Sequence, residues 1–197
     1  MFSAEPCTAP GCSRLAVFRS EYCFFHLEDR EEYLVEVRRY LVSRNTINNI
    51  NLADVILEDI DLSGKEINYS NFSKSRFSGV NLANCKMNLV FLDRAFISHS
   101  TFHQSKLQWV VFAGSRIEFC DFSDSDTLRC NFTGVASIDT TFNGSDLYSC
   151  RFINSDLAGA QFRDCNLKRV HFQYARINNA DFHYSNREEA IFTENEA

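Results

Sequence analysis

The chain is 197 residues long, 45% hydrophobic and 14% aromatic, with a formal net charge of −6. It holds no run of eighteen apolar residues and no charged-then-apolar leader, so neither a membrane span nor a signal peptide is expected. The acidity is mild, −1 over residues 1–50 and −5 over residues 51–197, and argues against a partner held by phosphate contacts.

The first element is a cysteine motif. Cys7, Cys12, Cys23 and His26 follow the spacing C-x4-C-x10-C-x2-H, with Pro10-Gly11 turning the first pair. Thiolate and imidazole in two closely spaced pairs suit tetrahedral Zn²⁺. The competing reading is a disulfide plus a free thiol, but three Cys and one His complete a shell whereas three Cys alone leave one unpaired. The motif resembles the small C-x4-C…C-x2-H zinc modules of many bacterial and phage proteins, over about twenty residues. Four protein ligands would close the site and make the metal structural, since catalytic zinc keeps an open position. Only Arg14 and Arg19 lie inside the motif, too little basic surface for a lone finger to hold nucleic acid.

A helix is expected from about Asp29 to Ser43. Asp29 can cap it, with Glu32 three residues on. Tyr33, Leu34, Val37, Tyr40 and Leu41 form one apolar stripe, and Glu31, Glu32, Glu36, Arg38 and Arg39 keep to water. The expected division is a zinc-finger-like module over 1–27, a capping helix and linker over 28–50, a repeat domain over 51–192 and a tail over 193–197. Finger and helix together are expected to plug the N-terminal end of the repeat domain.

From Asn51 to Phe192 the sequence has a period of five. Stepping by five from Leu52 gives 29 positions, of which 26 are Phe, Leu, Ile or Met; the lapses are Thr127, Ser137 and Arg187. Two residues before each such position, here called i, sits a small residue, a valine or, at Ile50 and Ile60, an isoleucine, with Lys65 the one large polar misfit. Helix and strand need periods of 3.6 and 2, so this is a solenoid. Six of the seven glycines fall at i+2, where a tight turn wants positive φ. From Phe102 onward Phe recurs every ten residues, which needs an even number of sides and argues for four. Asn51-Leu52-Ala53, Asn81-Leu82-Ala83 and Ser155-Asp156-Leu157-Ala158-Gly159 resemble the A(D/N)LXX unit of the pentapeptide-repeat family, in register over about three quarters of the chain. The resemblance implies an all-β solenoid: a right-handed quadrilateral β-helix of about seven coils, twenty residues to a coil.

Five more cysteines, Cys85, Cys120, Cys130, Cys150 and Cys165, all occupy i−2 and are expected as small, buried, inert and reduced groups, which fits a cytoplasmic protein. Residues twenty apart should stack on the surface. Tyr69, Leu89 and Trp109 then form one outward column and Phe91 and Val111 another around the same corner, with Phe96 and Phe119 nearby. Such an apolar patch marks a partner or self-association face, or else the N-terminal segment folds over it. Asp121, Asp124, Asp126, Asp146 and Asp164 make an acidic region interleaved with Arg129, Arg151 and Arg163. Quinolone-resistance members of the family are rods that mimic DNA and bind gyrase, so the resemblance implies DNA mimicry as the alternative function; no gyrase-binding residue carries over.

Thr127 and Ser137 face each other across the coil, and Leu128 and Ile138 follow them. A one-residue bulge turning Leu128 and Ile138 inward is expected in preference to a layer of buried hydroxyls, because an unsatisfied buried hydroxyl costs about 1–3 kcal/mol. His99, His103, His171 and His183 have no nucleophile beside them and no loop to form a cleft, so no enzyme is expected. The sequence thus reads as a non-catalytic protein-binding or scaffold rod of unnamed partner.

Overall fold

A computed structural model describes residues 4–193. The repeat domain is a coil of five-residue sides. Two opposite sides form parallel sheets. One consists of β1 (Thr46–Asn48), β3 (Glu66–Asn68), β5 (Lys86–Asn88), β7 (Lys106–Gln108) and β9 (Asp126–Leu128). The other consists of β2 (Ile56–Glu58), β4 (Arg76–Ser78), β6 (Phe96–Ser98), β8 (Arg116–Glu118) and β10 (Ala136–Ile138). Pairing partners are twenty residues apart, as Ile67 is from Met87. Each named sheet spans five turns; beyond Ile138 the ladder continues as single-residue bridges as far as His171 with Ile191. The first strand begins at Thr46, ahead of the expected boundary at Asn51, because Ile47 and Ile50 already occupy the inward positions and are buried.

Residue i fills the axis from Leu52 to Phe182; Arg187 is exposed in the 3-10 turn Arg187–Glu189. Phe102, Phe122, Phe142, Phe162 and Phe182 stack ring on ring 4.4–5.2 Å apart, and Phe112 to Phe192 form a second such column. The two columns meet edge to face, as Phe132 meets Phe142 at 89°. Parallel offset stacking within a column and T-shaped contact between columns both suit the ring quadrupole. The repeat distance matches the strand spacing of about 4.8 Å, so aromatic stacking and backbone pairing share one period.

The i−2 side chains do more than fit. Ser105 Oγ donates to Leu82 O at 2.6 Å and accepts from Cys85 N at 3.1 Å, tying two coils together. Cys85, Cys150 and Cys165 donate in the same way to Leu62, Thr127 and Phe142 carbonyls. Burial pushes the Cys85, Cys120 and Cys165 thiols up to about 11, which keeps them protonated and unreactive at neutral pH.

The layer at Thr127 and Ser137 differs from expectation. The register runs on without a bulge, Leu107 opposite Thr127 and Ile117 opposite Ser137. Thr127 and Ser137 are both buried, while Leu128 is half-buried and Ile138 is exposed. Thr127 Oγ1 lies 2.7 Å from Ser125 Oγ, which satisfies one hydroxyl. Ser137 Oγ is buried with no partner among the described residues. Twenty-residue pairing on both neighbouring coils holds the backbone in register more strongly than one unpaired hydroxyl can shift it.

The helix α1 spans Arg30–Ser43, and the Asp29 carboxylate accepts from Glu32 N at 2.9 Å as its N-cap. Its buried face, Tyr33, Val37 and Leu41, joins Val17 and Phe24 of the N-terminal module and Ile47, Ile50 and Leu52 of the coil in one core. The apolar end of the solenoid is thereby covered. Arg38 is exposed, as expected, and its guanidinium also donates to the carbonyls of Glu58 and Asp59 on the coil at 2.7 and 2.6 Å. Among the described residues no helix is long and apolar enough to cross a membrane.

A candidate metal centre and the surfaces beside it

The N-terminal module is a narrow hairpin followed by a 3-10 turn. Pro6 bridges Leu15, Cys7 N donates to Arg14 O, and Gly11 takes a φ of 72° at the tip, a conformation that costs glycine least. That hairpin carries Cys7 and Cys12. The turn Phe24–His26 begins just after Cys23, and His26 N donates to Cys23 O. The short x2 spacing in this turn puts Cys23 and His26 side by side.

The four donor atoms converge within 4.8 Å of one another. His26 Nδ1 is 3.4 Å from Cys7 Sγ and 3.5 Å from Cys23 Sγ, and Cys12 Sγ is 3.9 Å from Cys23 Sγ. A tetrahedral shell with metal–sulfur bonds of about 2.3 Å and metal–nitrogen bonds of about 2.05 Å has S···S edges of about 3.8 Å and S···N edges of about 3.5 Å. The donor set therefore fits a four-coordinate thiophilic cation. Sulfur atoms at 3.9 Å are far from disulfide bonding distance, and all eight cysteines are free. Burial raises the Cys7 thiol, but the amides of Cys23 and Ala9, with His26 and Cys12, outweigh it and hold the thiol down to about 6. Burial pushes Cys23 up. A thiolate is the form that binds metal, so the cluster is poised at Cys7.

The module is fastened to the coil. Asn51 Nδ2 donates to Ala16 O at 2.6 Å, Phe18 N to Asn51 O at 2.7 Å, and Tyr33 Oη to Phe18 O at 2.9 Å. Asn71 Nδ2 in turn donates to Asn51 Oδ1 at 2.7 Å, and both asparagines are buried under the module. They begin the column that continues as Phe91, Val111 and Asn131.

The expected partner residues divide in two. Tyr69, Leu89 and Trp109 follow β3, β5 and β7 and remain 38%, 40% and 44% exposed, so neither α1 nor the module covers them. Phe91 and Val111, half-buried, are bridged neighbours around the same corner. Phe96 lies apart, in β6 on the other sheet, with the Arg76 guanidinium 4.9 Å over its ring. Arg129 sits over Trp109 at 5.1 Å. Every one of Tyr69, Leu89, Trp109 and Phe119 holds a positive φ, between 51° and 58°. That region costs a residue other than glycine about 1–2 kcal/mol, so bulky apolar groups sit where Asn, Asp or Gly would be easier.

The acidic set also divides. Asp124 and Asp164 lie on one corner column, and Asp126 and Asp146, bridged to each other, lie just around it; Asp121 is on a different corner, bridged to Thr101 and Thr141. Lys106 approaches Asp126 at 3.7 Å, His103 approaches Asp124 at 3.8 Å, and Asn166 donates to Asp146 at 2.9 Å.

Four stacked sides of five residues, with i inward and i−2 bridging adjacent coils, define a quadrilateral β-solenoid. Two family profiles match it: Pentapeptide repeats (8 copies) over residues 48–84 and 75–114, and Pentapeptide repeat region over residues 125–197. The chain belongs to the pentapeptide-repeat family. Among solved structures it is similar to HetL, a pentapeptide repeat protein involved in heterocyst differentiation regulation in the cyanobacterium Nostoc sp. strain PCC 7120, at 15% identity over 81% of this chain and 96% of that one (TM-score 0.43). It is similar also to trypsin-treated QnrB1, a plasmid-mediated fluoroquinolone resistance protein, at 12% identity over 76% and 84% (TM-score 0.36). A third is Rfr23 from the cyanobacterium Cyanothece 51142, at 14% identity over 80% and 99% (TM-score 0.39). No curated protein sequence matches the chain.

Proposed function

We propose that this chain is a non-catalytic scaffold that binds a protein partner through the apolar corner of Tyr69, Leu89, Phe91, Trp109 and Val111, with a structural zinc ion in its cap. The observation that carries the reading is the placement of Tyr69, Leu89 and Trp109. They are exposed, they stack coil on coil, and they occupy left-handed backbone positions that favour other residue types. Zinc is supported by the donor set and its edges. Bound there, the ion has four protein ligands and no open position, which suits holding the cap together.

The test is a pull-down with purified protein, wild type against Trp109→Ala, at low and high salt, followed by direct binding of whatever is retained. Partner capture that survives salt and is lost in Trp109→Ala supports the reading. A second reading, DNA mimicry toward an enzyme such as gyrase, is favoured by the shared corner of Asp124, Asp126, Asp146 and Asp164. A supercoiling assay separates it: inhibition that fades with salt and is indifferent to Trp109→Ala would replace the scaffold reading. Concentration-dependent sedimentation decides whether the partner is a second copy of the chain.

A further inference from the structure

A groove of about 690 Å³ opens between the tip of the N-terminal hairpin and one side of the first coils. It lies at the junction of two structural units, where binding sites are common. Pro10–Leu15 and His26 form one wall, and Ala53, Asp54, Ser73, Lys74 and Arg94 the other. Asp54, Lys74 and Arg94 occupy the same position in three successive coils, so they stack along the axis. Arg14 faces them across the groove, its guanidinium 4.6 Å over the Phe25 ring.

Among the lysines of the coil Lys74 is set apart. Lys86, Lys106 and Lys168 each approach a carboxylate, on Glu66, Asp126 and Glu189, and Lys65 is buried on backbone carbonyls. Among the described residues Lys74 and Arg14 make no ion pair. Arg94 is paired with Asp93 through Nε and one terminal nitrogen, which leaves its other terminal nitrogen to the groove. Asp54 is the one carboxylate in the lining, and burial pushes it up despite the pull of Lys74, Arg14 and Arg94. The wall thus presents two unpaired cations and one half-used guanidinium around a single acid.

We infer that this groove is a docking site for an acidic segment of a protein partner, held by Arg14, Lys74 and Arg94. Its volume is far larger than one inorganic anion needs, and an open polar trough between two units suits a stretch of extended chain. Three cations with an aspartate among them are too few to hold a nucleic-acid backbone. Arg14, stacked on Phe25, is pre-oriented to present its fork to a carboxylate. The inference is independent of the apolar corner and stands whether or not Trp109 binds anything.

The experiment uses the full chain with its metal and a fluorescein-labelled hexaglutamate peptide, followed by anisotropy at low salt. The expected result is saturable binding, weakened at least about tenfold by Lys74→Ala with Arg94→Ala, since charge-assisted pairs are the strong ones. Lys168→Ala with Arg169→Ala, at the far end of the coil, leaves it unchanged. Asp54→Asn tightens it, because the competing carboxylate is gone. Lys74 and Arg94 are exposed, so their loss leaves the core intact, and Asp54→Asn gives a change of opposite sign. Absence of saturable binding, or equal weakening by the distant pair, would overturn the inference. So would displacement by equimolar inorganic phosphate, which means a simple anion site, or by a hexauridylate of the same charge.

Discussion

Lys65 Nζ donates to the carbonyl of Arg44 at 2.7 Å and to that of Val42 at 2.9 Å, so a lysine of the coil interior closes the C-terminal end of α1. Helix carbonyls at that end lack intrahelical partners, and a cation there is favoured by the helix dipole. Lys65→Met keeps the bulk and removes both bonds. Hydrogen bonds from charged donors are worth about 1.5–3 kcal/mol, so a loss of about 2 kcal/mol is expected in urea unfolding followed by far-UV circular dichroism.

Ser137 and Ser105 occupy equally buried polar positions with opposite consequences. Ser137 Oγ has no partner among the described residues, while Ser105 Oγ bridges two coils. Ser137→Ala therefore raises stability by about 1 kcal/mol and Ser105→Ala lowers it by about the same amount. Parallel denaturation curves for the two variants check the pair; a shared sign contradicts the hydrogen-bond assignment.

Leu89 holds φ at 53° with its side chain in solvent. Asparagine tolerates that backbone because its short polar side chain bonds locally. Leu89→Asn is expected to stabilise the coil by about 0.5–1 kcal/mol and to weaken partner capture, the trade of stability against function common at binding sites. Melting and pull-down on the same preparation test both halves.

The last coils are expected to respond to acid. The His183 backbone amide, the His183 ring and the Arg163 guanidinium hold the Asp181 carboxyl well below the usual carboxylate range. Arg176 does the same, less strongly, for Asp156. A carboxylate depressed in the folded state contributes stability above its unfolded pKa of about 4 and loses it as pH falls toward the folded value. Melting temperature is expected to drop below about pH 4, and Asp181→Asn to flatten that limb.

The solenoid is legible in the sequence because one inward position in five writes the core directly into the chain, from Leu52 to Phe192. The Cys/His cluster is legible because its four members lie within twenty residues and two turns set their spacing. The features that escape sequence reading depend on contacts across the cap or between sheets. Lys65 reads as a misfit at i−2 because the carbonyls it reaches lie in another element. The bonds of the exposed Arg38 to the coil are hidden for the same reason. Phe96 groups with Trp109 by proximity in sequence, but the two flank opposite sheets. Thr127 and Ser137 suggest a bulge only while side-chain chemistry is weighed without the pairing that both neighbouring coils impose. The hydroxyl and thiol bridges at i−2 do have a signal, the recurrence of Ser and Cys there, which size alone does not explain.

Cap and coil share one continuous core, from Val17 and Phe24 through Leu41 to Leu52, so the proposed zinc ion in the cap would stabilise the two as a single cooperative unit. The most direct measurement is metal content by plasma mass spectrometry joined to the melting curve, for wild type and Cys23→Ser. The expected result is one zinc per chain in the wild type, none in the variant, and a single melting transition that moves down as the metal is lost. A chain without zinc, or a variant that loses zinc while the coil melts unchanged, would contradict it.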